Sequence, residues 1–423
     1  MKSTLARLAR STVTLSALLA TVFCLLPPAV FAQGPLTPPG PPGPTMITLS
    51  QAEPRTPISS APYTITASGS YYLTTNLTVS TNNAITISAS GVTLDLKGFT
   101  ISSTAPTANG AGVVATGVND IYVRNGHVTG TTVWNGSSYT GGGFLRGINC
   151  NGTNVWVTGV TVHGVSLGGV VLQLNNDTVV ESCTVFTAGG NGIGADVVAN
   201  SVAYVCGGVG ILANTAENSI GSATASDAGV NAQTAENCSG TSVSGYGLYT
   251  SSANNCTGAS NTGTGLSANQ TAVGCYGQSG TGYGLYSGIT ALSCSGVSSN
   301  NWGLFAYMAN NCYGQSLNND GLHCDAVAEN CYGLSYAVSS YSGLYAPIAQ
   351  NSYGFGENNG VYVSIAIGCY GQSVSAYGVY AAEIANSCYG GSVLSTGLYA
   401  TVANSCVGSG TPNYVVVNKY NMP

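Results

Sequence analysis

Charge is what this sequence has least of. Only 5% of its 423 residues are charged, against roughly 25% in ordinary soluble domains. Eight Lys and Arg cannot follow a phosphate backbone, which excludes a nucleic-acid-binding protein. The same scarcity excludes a helical globule, whose exposed faces carry Glu, Lys and Arg. No Lys or Arg occurs between Arg146 and Lys419, so an anionic polymer has nothing to bind there. Also missing are a paired CxxC or His-rich set for zinc and a Thr-X-Thr column of the kind that marks an ice-binding face. What is abundant is Gly (59), Tyr (26) and Cys (14) in a 44% hydrophobic chain. That apolar and aromatic content excludes ordinary disorder.

Lys2, Arg7 and Arg10 precede an apolar stretch from Thr12 to Leu26, then Pro27-Pro28 and Ala29-Val30-Phe31-Ala32. A basic region, an apolar region and a small-residue exit predict a secretory signal peptide over residues 1–32. A membrane anchor fits less well, because the stretch is short and broken by prolines. Cys24 lacks the small residues that precede a lipoprotein cysteine and reads as part of the leader. Residues 33–44 include GPLTPPGPPGP, too short for a collagen triple helix and suited to an extended polyproline spacer. After cleavage, 14 acids face five bases (Arg55, Lys97, Arg124, Arg146, Lys419), a formal charge of −9. No later apolar segment is long enough to span a bilayer.

Self-similarity dominates the rest. A unit of Gly-aliphatic-X-small recurs at Gly247, Gly265, Gly284, Gly303, Gly321, Gly343, Gly360, Gly378 and Gly397, with looser copies at Gly192, Gly210 and Gly229. A second unit, Ala-X-Asn/Ser/Gly-Cys-Tyr-Gly, puts ten of the 14 Cys in one column. From Cys183 to Cys406 that column takes twelve steps. Each step averages about 18.6 residues, roughly half the length of a helical repeat. A helical repeat would also show a 3.6-residue apolar pattern. Here apolar residues alternate in short runs broken by Gly and Asn, so one repeat reads as one turn of a β-solenoid. The aliphatic and small residues of Gly-aliphatic-X-small are expected to point inward, and X outward. Val202, Ser219 and Ser352 stand in the Cys column by this count, so it reads as a packing position. In-register parallel side chains sit about 4.8 Å apart, beyond ordinary disulfide reach. Free thiols are expected, with a few strained neighbouring pairs as the alternative.

Four earlier segments align without gaps: Val92 to Ile101, Asn119 to Val128, Thr153 to Val162 and Asn176 to Val185. The last contains Cys183, which joins this register to the later column. The solenoid is therefore expected over residues 91–410, with capping strands over 45–90 and a cap or tail over 411–423. The motifs EPRTPISS at Glu53, ITASGSYYLTTNLTV from Ile65 and GVTLDLKGFTI from Gly91 resemble bacterial exported proteins of the pectate-lyase-like superfamily. The resemblance covers roughly residues 45 to 200 by motif and the remainder by repeat character. It implies an all-β, right-handed parallel β-helix of three short sheets, in a family mostly without assigned activity. A left-handed helix would need an aliphatic residue every six positions, but counting from Leu248 reaches Asn254 and Ser260.

Enzymes of that superfamily cleave acidic polysaccharides. Lyases use carboxylates to hold calcium and a basic residue to take a proton; hydrolases use clustered Asp. The gap-free alignment puts Lys97, Arg124, Thr158 and Glu181 on one outward line, with Asp95, Tyr122, Trp156 and Val179 beside it. Thr100, His127, Thr161 and Thr184 form a third line. Asp95, Lys97, Arg124 and His127 would then cluster near a loop, Thr129 to Gly147, that carries Trp134, Tyr139 and Arg146. These are the catalytic candidates, weighed against an ordinary solvated face. The paired Asp and Gly-His-Gly steps of pectin hydrolases are absent. One later coil breaks consensus with Asp320, His323 and Asp325, residue types that bind metals or move protons. The two Asp are expected to diverge, and no metal or other cofactor is assigned.

Two aromatic stripes complete the reading. Tyr249, Tyr286, Phe305, Tyr345, Tyr362, Tyr380 and Tyr399 fill the outward place of the first unit; Tyr276, Tyr313, Tyr332, Tyr353, Tyr370 and Tyr389 follow the Cys column. Stacked Tyr stabilise an in-register sheet. The same rings, with Trp134 and Trp156, could bind a neutral glycan or a cell-surface or matrix protein. The expectation is an exported, non-catalytic scaffold, with a carbohydrate-active enzyme working at the first coils as the alternative. No sequence of membrane strands follows the last coil, which argues against a self-exporting autotransporter.

Overall fold

The computed structural model describes residues 54–422. The leader, the spacer and the start of the expected cap, through Glu53, lie outside those residues. The described chain is all strand and turn, and 39 strands join one continuous sheet of parallel pairs. Each strand pairs with its counterpart one repeat later, so the protein is a β-solenoid.

One late coil shows the design. Leu248–Asn254 forms a long strand, and Thr257–Ser260 a short one. The long strand pairs with Leu266–Val273 and the short one with Tyr276–Ser279. Register shifts between Thr250 and Ser252, so the long strand turns a corner there. Similar shifts recur after Ser287, Ala306 and Val363. Such bulges absorb one residue, which lets coils of unequal length stack and explains the non-integral period.

A second corner precedes each Cys of the column. Asn237, Asn255, Asn311 and Asn330 have φ of 51 to 55°, and Gly274 has φ 62°. Only Gly, Asn and a few small polar residues adopt this left-handed conformation readily. The Asn/Ser/Gly choice before Cys is thus a backbone requirement. At the third corner, a Ser side chain ties the turn. Ser260 Oγ donates to Gly245 O at 2.7 Å and accepts from Gly263 N at 2.9 Å. Ser316 repeats the pair with Asn301 O and Asn319 N at 2.7 and 2.9 Å.

Inside, Leu248, Leu266, Leu285, Leu304, Leu322 and Leu344 form a fully buried column beside buried Ala and Cys. The lumen is too narrow for more. A Cβ on Gly277 would lie 2.1 Å from Gly284 O, and one on Gly314 2.3 Å from Gly321 O. The two recurrent glycines of each coil therefore meet backbone to backbone across the lumen.

The thirteen described cysteines are free and buried. Their column needs one correction: Thr184 pairs with Val202, so the residue level with Cys183 is Ser201. Its Oγ accepts from Cys183 N at 3.1 Å and donates to Ala199 O at 2.7 Å. Cys312 Sγ likewise accepts from Cys294 N at 3.4 Å and faces Ala291 O and Asn310 O, both at 3.3 Å. The column accepts Ser because it is a hydrogen-bonding position, not because any small apolar group fits.

A second correction concerns the first coils. Asp95 pairs with Arg124, and Thr93 with Tyr122, while Thr100 still faces His127. The corner between Asp95 and Thr100 is two residues longer than its counterpart in the next coil, so the gap-free alignment fails within it. Upstream, Thr56–Ile58 pairs parallel with Gly69–Leu73, and Tyr63–Ile65 with Ile85–Ile87. Those strands are further rungs of the same sheet. Tyr414–Tyr420 adds a parallel rung at the other end.

Candidate functional site

The long loop after Thr129 folds back as a hairpin, Val133–Trp134 against Tyr139–Thr140. Trp134 and Tyr139 rings are 4.7 Å apart, and Tyr139 Oη lies 3.0 Å from Val205 O and 2.9 Å from Thr224 Oγ1. Burial raises the Tyr139 phenol pKa. The loop is a strap over later coils. Arg146 begins the strand Arg146–Cys150, which stacks between Ala111–Ala115 and Gly168–Leu172. Asp95 belongs to a different stack.

Asp95 is nearly buried. Arg124 Nη2 lies 3.1 Å and Arg55 Nη1 3.6 Å from its Oδ2; the Lys97 amide donates to Oδ1 at 2.9 Å. The Lys97 and Arg55 side chains cover the Tyr72 ring at 4.5 and 4.9 Å. Four groups expected to converge are thus divided. Asp95, Lys97 and Arg124 meet, with Arg55 and Tyr72 joining them. His127 lies on the same strand as Arg124, Ile121–Thr129, but beyond the corner at Asn125 (φ 59°), paired with Thr100. Trp156 is exposed and borders a shallow cleft with Asp120, Tyr122 and Asn154.

The two aromatic stripes are in register. On the first, ring centroids are 5.8 Å apart for Tyr345–Tyr362, 4.5 Å for Tyr362–Tyr380 and 4.7 Å for Tyr380–Tyr399, with planes within 9°. On the second, Tyr332–Tyr353, Tyr353–Tyr370 and Tyr370–Tyr389 stack at 4.5, 5.3 and 4.6 Å. Ser295 separates Tyr276 from Tyr313, and Ser267 separates Tyr249 from Tyr286. Stacking has a consequence for binding. Each ring's faces are turned to its neighbours along the axis, so the rows present edges and hydroxyls. The rows stop at Tyr389 and Tyr399, whose next counterparts are Val407 and Val415; within the second row Tyr332 and Tyr370 are exposed. Partial burial, reinforced by neighbouring phenols, raises the pKa of Tyr313 and Tyr353. These hydroxyls stay neutral and able to donate.

Comparison of the chain with protein-family models, with curated proteins and with solved structures finds no match. What the structure shares with β-helix repeat proteins is the stacked-coil architecture.

Two features escaped the sequence reading. Tyr246, Tyr283, Trp302 and Tyr377 share a third column with non-aromatic residues between them, and only Tyr283 and Trp302 are neighbours, with rings 5.5 Å apart. The signal was present, since each directly precedes the Gly of Gly-aliphatic-X-small. Asp196 was also missed: it accepts from the Asn176 and Thr178 amides at 2.8 and 3.0 Å. Burial alone would raise its pKa, but hydrogen bonds from Thr178, Asn175 and Asn176 outweigh it and lower the value.

The consensus-breaking coil differs from expectation. Asp320 and Asp325 do not diverge. Asp320 Oδ2 is 2.9 Å from His323 Nδ1, and Asp325 Oδ1 is 3.6 Å from Nε2. The strand Leu322–Glu329 carries His323 and Asp325, and the turn before it brings Asp320 to the Nδ1 edge of the ring. His323 takes the tyrosine's place in the first row, stacked 4.1 Å from Trp302 and 4.4 Å from Tyr345. No three His, Cys, Asp or Glu among the described residues converge on one metal position.

Proposed function

We propose that the protein is an exported, non-catalytic scaffold, a rigid surface or matrix spacer that holds a neutral glycan or a neighbouring protein against its tyrosine rows. The observation that carries this reading is two in-register aromatic rows, one on the long strands and one on the short, in coils with no Lys or Arg. Every coil is hydrogen-bonded to the next, so ring spacing is held near the strand spacing of about 4.8 Å. Contact is made by hydroxyls and ring edges along the rows. Absence of basic residues favours an uncharged partner. The basic-apolar leader supports export, and the motifs near Ile65 and Gly91 support a right-handed helix of the pectate-lyase-like kind.

The competing reading is a polysaccharide lyase or glycosidase at the first coils. It asks for converging carboxylates free to act. Asp95 is instead engaged by two guanidinium groups and a turn amide, which suits a structural role.

Mature protein applied to a polysaccharide array tests both readings. The expected result is retention of a neutral glycan, weakened at least several-fold by Tyr332→Ala or Tyr370→Ala, without cleavage of polygalacturonate, pectin or neutral glucans, with or without calcium. Release of unsaturated or reducing ends that disappears in Arg124→Ala or His127→Ala overturns the scaffold reading. Retention of no glycan removes that partner class and leaves protein.

A further inference from the structure

We propose that His323 and Asp325 form a binding site for one divalent transition-metal ion, with Asp320 as the residue that orients the imidazole. The geometry is specific at each atom. The Asp320 carboxylate accepts the Ser342 amide at 2.7 Å through Oδ1 and faces His323 Nδ1 at 2.9 Å through Oδ2. A carboxylate only accepts, so the Nδ1 proton occupies that contact and the Nε2 lone pair points the other way. What it faces is Asp325 Oδ1, 3.6 Å away.

That separation suits two ligands of one ion. Metal–nitrogen and metal–oxygen bonds of about 2.0–2.2 Å at a tetrahedral angle put the two donor atoms about 3.4 Å apart. A small rotation of the exposed Asp325 side chain closes the difference. Metal-bound histidines almost always give their other N–H to a carboxylate, which fixes the tautomer and makes the ring a better donor. Asp320 stands in that position, with its side chain only 9% exposed.

The ring is also clamped. Trp302 and Tyr345 sandwich it with planes within 16°, so binding costs little further ordering of His323. No Lys or Arg between Arg146 and Lys419 competes for Asp325. Imidazole with a carboxylate suits Cu(II), Zn(II) and Ni(II) better than Ca(II) or Mg(II), which prefer all-oxygen sites. With two protein ligands, water completes the coordination sphere and binding is modest.

The repeat departs from itself at the same place. Asp320 is the only carboxylate at the position before the Gly of the unit, and His323 replaces the tyrosine of the first row. The step from Cys331 to Ser352 is the longest in its column. The extra residues form a wall of a cleft lined by Asp320, His323, Ser340, Tyr341, Tyr345 and Tyr362.

Trp302 supplies the readout. Metal-stripped mature protein is titrated with CuCl₂ or NiCl₂, with tryptophan fluorescence recorded. The expected result is saturable quenching at one ion per chain, and displacement of Ni(II) by excess Zn(II) that restores emission. Asp325→Asn weakens binding at least tenfold, and Asp320→Asn about 10- to 100-fold. His323→Tyr abolishes it while keeping the far-ultraviolet circular dichroism, because it restores the ring used elsewhere in the row. Trp302→Phe removes the quenching signal, while one Cu(II) still binds with a single imidazole nitrogen in its electron paramagnetic resonance spectrum. No saturable binding to wild type, or equal binding to His323→Tyr, overturns the site. Quenching that persists in Trp302→Phe places the ion elsewhere and overturns it equally.

Discussion

Gly277→Ala asks whether the solenoid walls touch. The added Cβ would stand 2.1 Å from Gly284 O, 2.7 Å from Gly284 C and 3.0 Å from Leu285 Cα. All three are backbone atoms, so no side chain can swing away. Relief requires parting the short strand Tyr276–Ser279 from the long strand that follows, Leu285–Leu292. Overpacking a closed interior costs about 1–3 kcal/mol, and a clash with backbone belongs at about 3 kcal/mol. If the whole solenoid melted together, roughly 370 residues at 2.1 cal/mol/K each would give an unfolding entropy near 0.8 kcal/mol/K. Such a loss would lower Tm by only about 4 °C. Stacked repeats open locally, so amide hydrogen exchange is the sharper assay. Protection should fall by about two orders of magnitude, 3 kcal/mol by the usual conversion, over residues 265–300, and stay unchanged before residue 200. Gly194→Ala is the control, because its Cβ would meet only Leu172 O, at 4.0 Å. Wild-type exchange in Gly277→Ala would refute the narrow-lumen account.

Cys312→Ser is expected to be close to neutral, because Ser fills equivalent places at Ser201, Ser219 and Ser352 with the same hydrogen bonds. Cys312→Val should cost about 1–3 kcal/mol in urea unfolding, since the Cys294 amide loses its acceptor in a buried site; equal stability of the two variants would mean the column is merely apolar. A pH effect should also appear. Burial pushes Cys150 and Cys206 up to about 12 and Cys183 up to about 11, from an ordinary value of 9. Between about pH 9 and 12 the unfolded chain releases these protons while the folded chain keeps them, so the folded state binds more protons and stability falls as pH rises. The urea midpoint should drop from pH 8 to pH 10, and less steeply in Cys150→Ala/Cys206→Ala; a flat profile would show that the thiols are solvated.

Much of the fold was legible because a solenoid writes its structure as a period. Inward Leu, outward Tyr and a cysteine column followed from alternation, since neighbouring coils impose one environment on each column. The period does not report how a corner absorbs an extra residue. This is why Asp95 was placed level with Tyr122 when it pairs with Arg124, and Val202 was counted where Ser201 stands. Both errors fall at corners, where the left-handed backbone at Lys97 and Asn200 (φ 51° and 50°) resets the alternation.

The candidate sites divide along the same line. Sequence alone determined which side chains face outward and that the later wall lacks cationic groups, because strand alternation and composition are local properties. Tertiary structure decided what those side chains meet. It turned the ring faces of the tyrosine rows against one another, engaged Asp95 with Arg55 and Arg124, and brought Asp320 and Asp325 to opposite edges of His323. Such relations depend on the rise between coils and on the geometry of each corner, distances of a few ångströms that no linear spacing encodes.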